Sequence, residues 1–122
     1  MTEIDELEGK ALAEVVALSQ GWTKNKPHPR RIQEWLGADG RWNKLYVSSY
    51  RPDLNIAQAW ELVEKARADG WLIGVHTHLD EYQVILARHI SHPRFNVDQY
   101  EMWSESAPEA ICRAFLKAKE AQ

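Results

Sequence analysis

The stretch from Asn55 to Gly70, NIAQAWELVEKARADG, constrains the fold more than any other part of the chain. Asn55 is a favourable helix N-cap, and Gln58 three residues later completes a capping-box-like pattern. Gly70 supplies the left-handed residue that commonly ends a helix. Five apolar residues fall at helical spacing and form one stripe: Ile56, Ala59, Trp60, Val63 and Ala66. The pattern predicts an amphipathic helix over residues 55–69.

A strand-like segment, WLIGVHTH, follows Gly70 directly. A helix that joins a strand through a single glycine is expected to pack back onto the sheet that contains the strand. Trp60 and Val63 should therefore be buried against that sheet. On this interpretation, Trp60→Ala deletes a large buried aromatic side chain and should cost roughly 3–5 kcal/mol of stability.

The remaining elements follow from periodicity and from Gly or Pro breaks. The pattern predicts a helix over 4–20 that becomes firm near Gly9, a short helix over 29–36, a short strand over 43–48, strands at 71–78, 82–89 and 97–104, and a helix over 107–119. Apolar residues point both ways in the first two long strands, because Ile73 and Leu72 lie on opposite faces. This alternation predicts a sheet covered on both faces.

Composition indicates one domain over residues 1–122 that buries its own core. The single cysteine, Cys112, excludes an internal disulfide, and its mid-helix position predicts a buried, inert thiol. No apolar run approaches the ~18 residues of a membrane span. The acidic N-terminus lacks the apolar centre of a signal peptide, so we expect a cytoplasmic protein.

Charge is distributed unevenly along the chain. Residues 22–51, here called the basic segment, contain seven Lys or Arg and two acidic residues, a net charge of +5 in a chain of net charge −3. The other residues therefore total −8, which argues against broad nucleic-acid binding and leaves room for one confined anion site. The irregular part, 23–54, has a length typical of a functional segment or an insertion.

The basic segment interleaves aromatic and cationic residues, a combination suited to a nucleotide or a single-stranded ligand. The candidate ligand-binding residues are Arg30, Arg31, Trp35, Arg41, Trp42 and Lys44. We expect the arginines to contact phosphate, with Trp35 or Trp42 stacked on the base. The alternative is that the tryptophans anchor the loop to the core while the cations are merely solvated.

Other chemistry has weaker support. His76 and His78 point to one side of a strand and, with Asp80, would bind a metal weakly, but a zinc site needs three or four converging ligands. The chain lacks a nucleophile elbow, a Gly-rich phosphate loop and a paired-carboxylate motif. We therefore expect no catalysis, no metal and no cofactor.

Three stretches together are similar to those of a known family: LEGKALAEVVALSQGW (7–22), NIAQAWELVEKARADGW (55–71) and SAPEAICRAFLKA (106–118). They resemble the phage ABA sandwich domain, a family of small phage and prophage proteins. The chain departs from the family pattern at Asn55, where an aspartate is usual, and at residues 51–54, which replace a Ser-Thr lead-in. The resemblance implies an α/β/α sandwich and a phage origin but no activity, so Trp60, Ile111, Cys112 and Arg113 carry over as fold markers.

The expected architecture is a three-layer α/β/α sandwich of the α+β class with a small antiparallel sheet. The second and last helices lie on one face and the first helix on the other. Two functional hypotheses follow. The first is a phage accessory protein of counter-defence that binds an anionic ligand, in a cavity that a homo-oligomer would place between subunits. The second is an inhibitor of a host protein complex, which a flat apolar patch would favour.

Overall fold

A computed structural model of the chain describes residues 4–26, 29–30, 32–39, 42–89 and 97–120. At residues 5, 42–44, 89, 97 and 98 the description covers the backbone alone. In chain order the elements are a one-turn 3-10 helix Ile4–Glu6, α1 Gly9–Ser19, β1 Thr23–Lys24, β2 Glu34–Leu36, β3 Trp42–Tyr46, α2 Ile56–Ala68, β4 Trp71–Thr77, β5 Tyr82–His89, β6 Val97–Ser104 and α3 Ala107–Glu120. The chain is thus a mixed α+β protein. The prediction that the regular part of the first helix begins near Gly9 is confirmed.

Helix α2 begins and ends at the predicted residues. The Asn55 side chain accepts a hydrogen bond from the backbone N–H of Gln58 at 3.1 Å, and Gly70 takes a φ of 89°. The Gln58 side chain does not complete a reciprocal capping box. Its amide instead accepts from the Arg51 backbone N–H at 2.7 Å and donates to the Ser49 carbonyl at 3.1 Å. The start of α2 thereby holds the chain at residues 49–51, which border the cavity described below.

The predicted buried stripe of α2 is wrong at two positions. Trp60 is 50% exposed and Ile56 is also exposed, whereas Leu62, which the stripe omitted, is fully buried. The residues 59, 62, 63 and 66 form a second helical stripe that shares three members with the predicted one. Packing of α2 against both α3 and β4 centres on this second stripe. The expected cost of roughly 3–5 kcal/mol for Trp60→Ala assumed a buried ring, and this assumption is wrong.

Strands β4, β5 and β6 form an antiparallel sheet in that order, as predicted. The turn between β4 and β5 is closed by a hydrogen bond from the His78 N–H to the Glu81 carbonyl at 2.9 Å. The register aligns Ile73 with Leu86 and Leu86 with Tyr100. The face that carries Ile73 and Leu86 is buried against α2 and α3.

The opposite face of this sheet, here called the open sheet face, stays uncovered in the described part of the chain. Leu72 is 58% exposed and Trp103 is 45% exposed. Helix α1 packs against α3 rather than over this face. The predictions of a sheet covered on both faces and of a first helix on the far side are therefore wrong for the described residues. Antiparallel sheets commonly leave one face to solvent, and scattered apolar residues do not change that.

A second antiparallel sheet, with order β1-β2-β3, replaces the short helix that was predicted over 29–36. Trp35 pairs with Lys24 on β1 and with Leu45 on β3. The Asn25 side chain accepts from the Glu34 N–H at 3.1 Å, and its carbonyl accepts from the Gln33 amide at 3.0 Å. These pairings outweigh the helical spacing of local apolar residues. The predicted short strand near residue 43 is confirmed as β3.

Helix α3 is the centre of the core, and apolar side chains on most of its circumference are buried. Cys112 is fully buried, as predicted, and burial raises the pKa of its thiol well above the usual range, so the thiol stays neutral. Arg113 donates to the Leu7 carbonyl at 2.9 Å and pairs with Glu109 at 2.7 Å. Cys112 and Arg113 therefore serve the fold, as their assignment as fold markers implied. No described helix is long and apolar enough to cross a membrane.

Candidate ligand-binding site

A cavity of about 310 Å³ lies between α1 and the β1–β3 sheet, and we call it the α1 cavity. Its volume is at the lower end of the roughly 300–1,000 Å³ that is typical of small-molecule sites. Helix α1 contributes Lys10, Ala13 and Glu14; the second sheet and the residues before β2 contribute Ile32, Gln33 and Trp35; the chain after β3 contributes Val47, Ser48, Tyr50 and Arg51. The site thus draws on three parts of the sequence that only the fold brings together.

Aromatic rings form the inner wall of the α1 cavity. Trp35 is 1% exposed and Tyr50 is also buried. The ring of Trp22 lies behind both, with its centroid 4.8 Å from that of Tyr50 and 6.4 Å from that of Trp35. Burial raises the pKa of the Tyr50 phenol, so its hydroxyl stays neutral. The indole N–H of Trp35 is buried and has no hydrogen-bond partner among the described residues, which leaves a donor for an acceptor such as a water or a ligand atom.

Arg51 supplies a cation that its neighbours hold in place. Its guanidinium donates to both carboxylate oxygens of Asp53, with Nε at 3.0 Å from Oδ1 and Nη2 at 2.8 Å from Oδ2. Asp53 is itself 3% exposed, and its hydrogen bonds raise the pKa of Arg51. Such a two-bond pair fixes the orientation of the guanidinium and leaves its other N–H groups available.

The remaining charges of the lining belong to α1. Glu14 pairs with Lys24 at 2.6 Å. Lys10 is exposed and has no ion-pair partner in the part of the chain that the structure describes. Lys10 and Arg51 are therefore the two cations that this cavity offers to an anion. The described lining residues supply charge, hydrogen-bonding groups and an aromatic wall, and none of them is a histidine or a cysteine.

A family model described as the phage ABA sandwich domain matches residues 12–116 of the chain. The chain belongs to the phage ABA sandwich domain family. The matched region includes the whole lining of the α1 cavity except Lys10, which lies two residues before it. No curated protein and no solved structure matched the chain.

In this phage ABA sandwich domain, the residues predicted to bind a ligand fall into three groups. Trp35 lines the α1 cavity, whereas Arg30 is exposed and does not line it. Arg31 and Arg41 lie outside the described residues. Trp42 and Lys44 lie on β3, where the description covers the backbone alone.

Sequence reasoning missed five polar or charged residues of the cavity: Lys10, Glu14, Gln33, Ser48 and Arg51. Arg51 could have been recognised from the sequence, because the tripeptide Arg51-Pro52-Asp53 places a cation and an anion two residues apart around a proline of fixed φ. No sequence pattern indicated Lys10, since it lies in a helix with an ordinary amphipathic pattern. Only the packing of α1 beside the second sheet reveals its position.

His76 on β4 and His78, which directly follows β4, lie on the open sheet face, away from the α1 cavity. His76 is exposed. The His78 ring nitrogen Nε2 is 2.9 Å from the Gln83 side-chain oxygen, and the ring lies 4.8 Å from that of Trp103. No three His, Cys, Asp or Glu side chains converge in a metal-binding arrangement within the described ranges.

Proposed function

We propose that this phage ABA sandwich protein is a non-enzymatic accessory protein that captures a small anionic ligand, such as a nucleotide signal of host defence, in the α1 cavity. The observation that carries the proposal is the placement of two cations, Lys10 and Arg51, at a cavity walled by Trp35 and Tyr50. Cations recognise phosphate, and an aromatic wall accommodates a flat base. Capture of this kind would serve phage counter-defence by removing the signal.

The size and surroundings of the cavity add support. A cavity of about 310 Å³ suits one nucleoside unit better than a polymer. The exposed Lys26 and Arg30 place further positive charge on the basic segment, outside the described lining. Within the proposal, Trp42 adds to the aromatic contacts, and Arg31, Arg41 and Lys44 contribute to the positive charge of the basic segment that attracts the anion.

We expect micromolar binding of at least one member of a panel of linear and cyclic nucleotides in a calorimetric titration. Lys10→Glu should weaken that binding by about tenfold or more, because attraction becomes repulsion at the cavity and tenfold corresponds to only 1.4 kcal/mol. Lys26→Glu is the matched control, since Lys26 is exposed on the basic segment and does not line the cavity. The double reversal Arg30→Glu with Arg31→Glu should weaken binding as well and leave stability unchanged.

Failure of every nucleotide to bind at micromolar concentration contradicts ligand capture. Equal affinity of the wild-type and Lys10→Glu proteins would also contradict the cavity as the site. Thermal melting of each variant serves as the check that the fold is intact.

A second candidate function is inhibition of a host protein complex, and the open sheet face is the observation that favours it. Leu72 and Trp103 are exposed on this face, with the partly buried Ile85 and Ala87 between them. Exposed apolar area on a sheet is typical of protein-binding surfaces. A host protein seated there would supply the third layer of the predicted α/β/α sandwich.

An infection assay distinguishes the two functions. The wild-type protein should restore phage growth on a bacterium that carries a nucleotide-signalling defence system. Lys10→Glu should abolish the effect if the protein captures the signal, and Leu72→Glu with Trp103→Glu should leave it intact. The reverse pattern would replace ligand capture by protein inhibition, because the two sets of substitutions touch different surfaces.

A further inference from the structure

The charges around the α1 cavity nearly cancel. Arg51 is neutralised by the buried Asp53 through two hydrogen bonds, and Glu14 is neutralised by Lys24 at 2.6 Å. Lys10 is the one described lining residue whose charge has no described partner. The described lining and its ion-pair partners together have three cations and two anions, so they offer a net charge of about +1 to a ligand.

We propose that the α1 cavity selects a nucleoside ligand with a single negative charge, namely one whose phosphate is a cyclic diester. This inference rests on the proposed function and names the ligand class of the same site. A phosphate monoester carries about −1.5 to −2 charges at pH 7 because its second ionisation has a pKa near 6. A diester has no second ionisation, so its charge of −1 matches the single uncompensated lysine.

The carboxylates of Glu14 and Asp53 lie beside the two cations of the lining and disfavour a ligand with more than one negative charge. Lys10 and Glu14 are four residues apart on α1, and residues at this spacing lie side by side on a helix surface. Asp53 accepts hydrogen bonds from two of the N–H groups of Arg51. A phosphate that approaches either cation thus also approaches a carboxylate. A monoester or a triphosphate gains little from its extra charges, because the carboxylates of Glu14 and Asp53 already offset the cations that would attract them.

Neutral polar groups complete the match to a single nucleoside. Gln33 and Ser48 line the cavity beside the aromatic wall and offer hydrogen bonds that do not depend on ligand charge. The volume of about 310 Å³ has room for one base with its ribose and phosphate rather than for a linked pair of nucleosides. Both features favour a cyclic mononucleotide.

Calorimetric titration of the wild-type protein with cyclic AMP, AMP and ATP tests the proposal, because the three share base and ribose and differ in phosphate charge. Cyclic AMP should bind at least about fivefold more tightly than AMP or ATP, a modest ratio that corresponds to roughly 1 kcal/mol. The matching cyclic and linear guanine nucleotides repeat the comparison with a second base.

Glu14→Gln tests the physical cause. The variant removes one carboxylate from the lining and frees Lys24, so the affinity for AMP should rise more than that for cyclic AMP, and their ratio should fall by about threefold or more. Glu64→Gln is the matched control, since Glu64 is exposed on α2 away from the cavity and pairs weakly with Arg67 at 3.9 Å.

The outcomes separate this inference from the proposed function. Equal or tighter binding of AMP or ATP by the wild-type protein overturns charge selection and leaves ligand capture standing. An unchanged ratio in the Glu14→Gln protein, with its fold verified by circular dichroism, overturns it too. Absence of binding by every cyclic and linear nucleotide overturns the proposed function itself.

Discussion

Replacing Trp71 by alanine should lower the free energy of unfolding by about 3–5 kcal/mol. Trp71 is fully buried at the start of β4. Its ring lies 4.8 Å from the Arg88 guanidinium and 6.4 Å from the ring of Tyr100. The substitution removes a large side chain from between the sheet and the helices and leaves a cavity there. Since small domains are stable by only about 5–15 kcal/mol, the substitution should remove a large share of the stability.

Trp60→Ala is the matched control, because it deletes the same atoms from the exposed side of α2. Its cost should stay below about 1 kcal/mol, as for other substitutions at exposed positions. Urea denaturation of the two variants and the wild type, with equal m-values as the check on two-state behaviour, measures the difference. Equal costs for the two tryptophans would contradict the packing of α2 and β4.

Arg51→Met should cost about 3–5 kcal/mol, because it leaves the Asp53 carboxylate buried without its cation. Asp53 is 3% exposed, and Arg51 donates one hydrogen bond to each of its carboxylate oxygens. The double variant Arg51→Met with Asp53→Leu should recover most of the loss, since no buried charge remains.

A double-mutant cycle over Arg51 and Asp53 measures this coupling. The exposed pair Arg67 and Glu64, whose nearest atoms are 3.9 Å apart, provides the control cycle and should show almost no coupling. A double variant as unstable as Arg51→Met alone would mean that the guanidinium stabilises the turn by packing rather than by neutralising the carboxylate. In that case Arg51 would still border the α1 cavity, but its ion pair with Asp53 would not be the source of its contribution to stability.

The sequence alone determined the position of the elements that begin or end at a capping residue or a glycine. Asn55 caps α2, Gly70 ends it, and the strands β4, β5 and β6 occupy the predicted segments. The same holds for α3, whose start at Ala107 and apolar residues were predicted from the sequence. Capping, left-handed glycines and apolar periodicity act within a few residues, so they can be recognised without the rest of the fold. The family resemblance rests on these segments and was confirmed.

Only the tertiary structure decided questions that depend on a distant partner. Trp60 and Leu62 both lie at helical spacing with the core of α2, and the position of α3 and β4 selected Leu62. Trp35 follows a helical pattern locally, yet pairing with Lys24 and Leu45 makes it a strand residue. These choices arise because burial and cross-strand hydrogen bonds outweigh the few tenths of a kcal/mol by which local propensities differ.

The candidate site depends on tertiary structure even more strongly. Trp35 was expected from its basic, aromatic surroundings and does line the α1 cavity. Lys10 comes from a helix more than twenty residues earlier, and Arg51 acts through its pair with Asp53. A segment's composition indicates that an anion would be attracted to it, because charge acts over a Debye length of about 10 Å whatever the fold. Which cations face one cavity, and how much of their charge neighbouring carboxylates cancel, is decided by contacts of a few ångströms that only the folded chain creates.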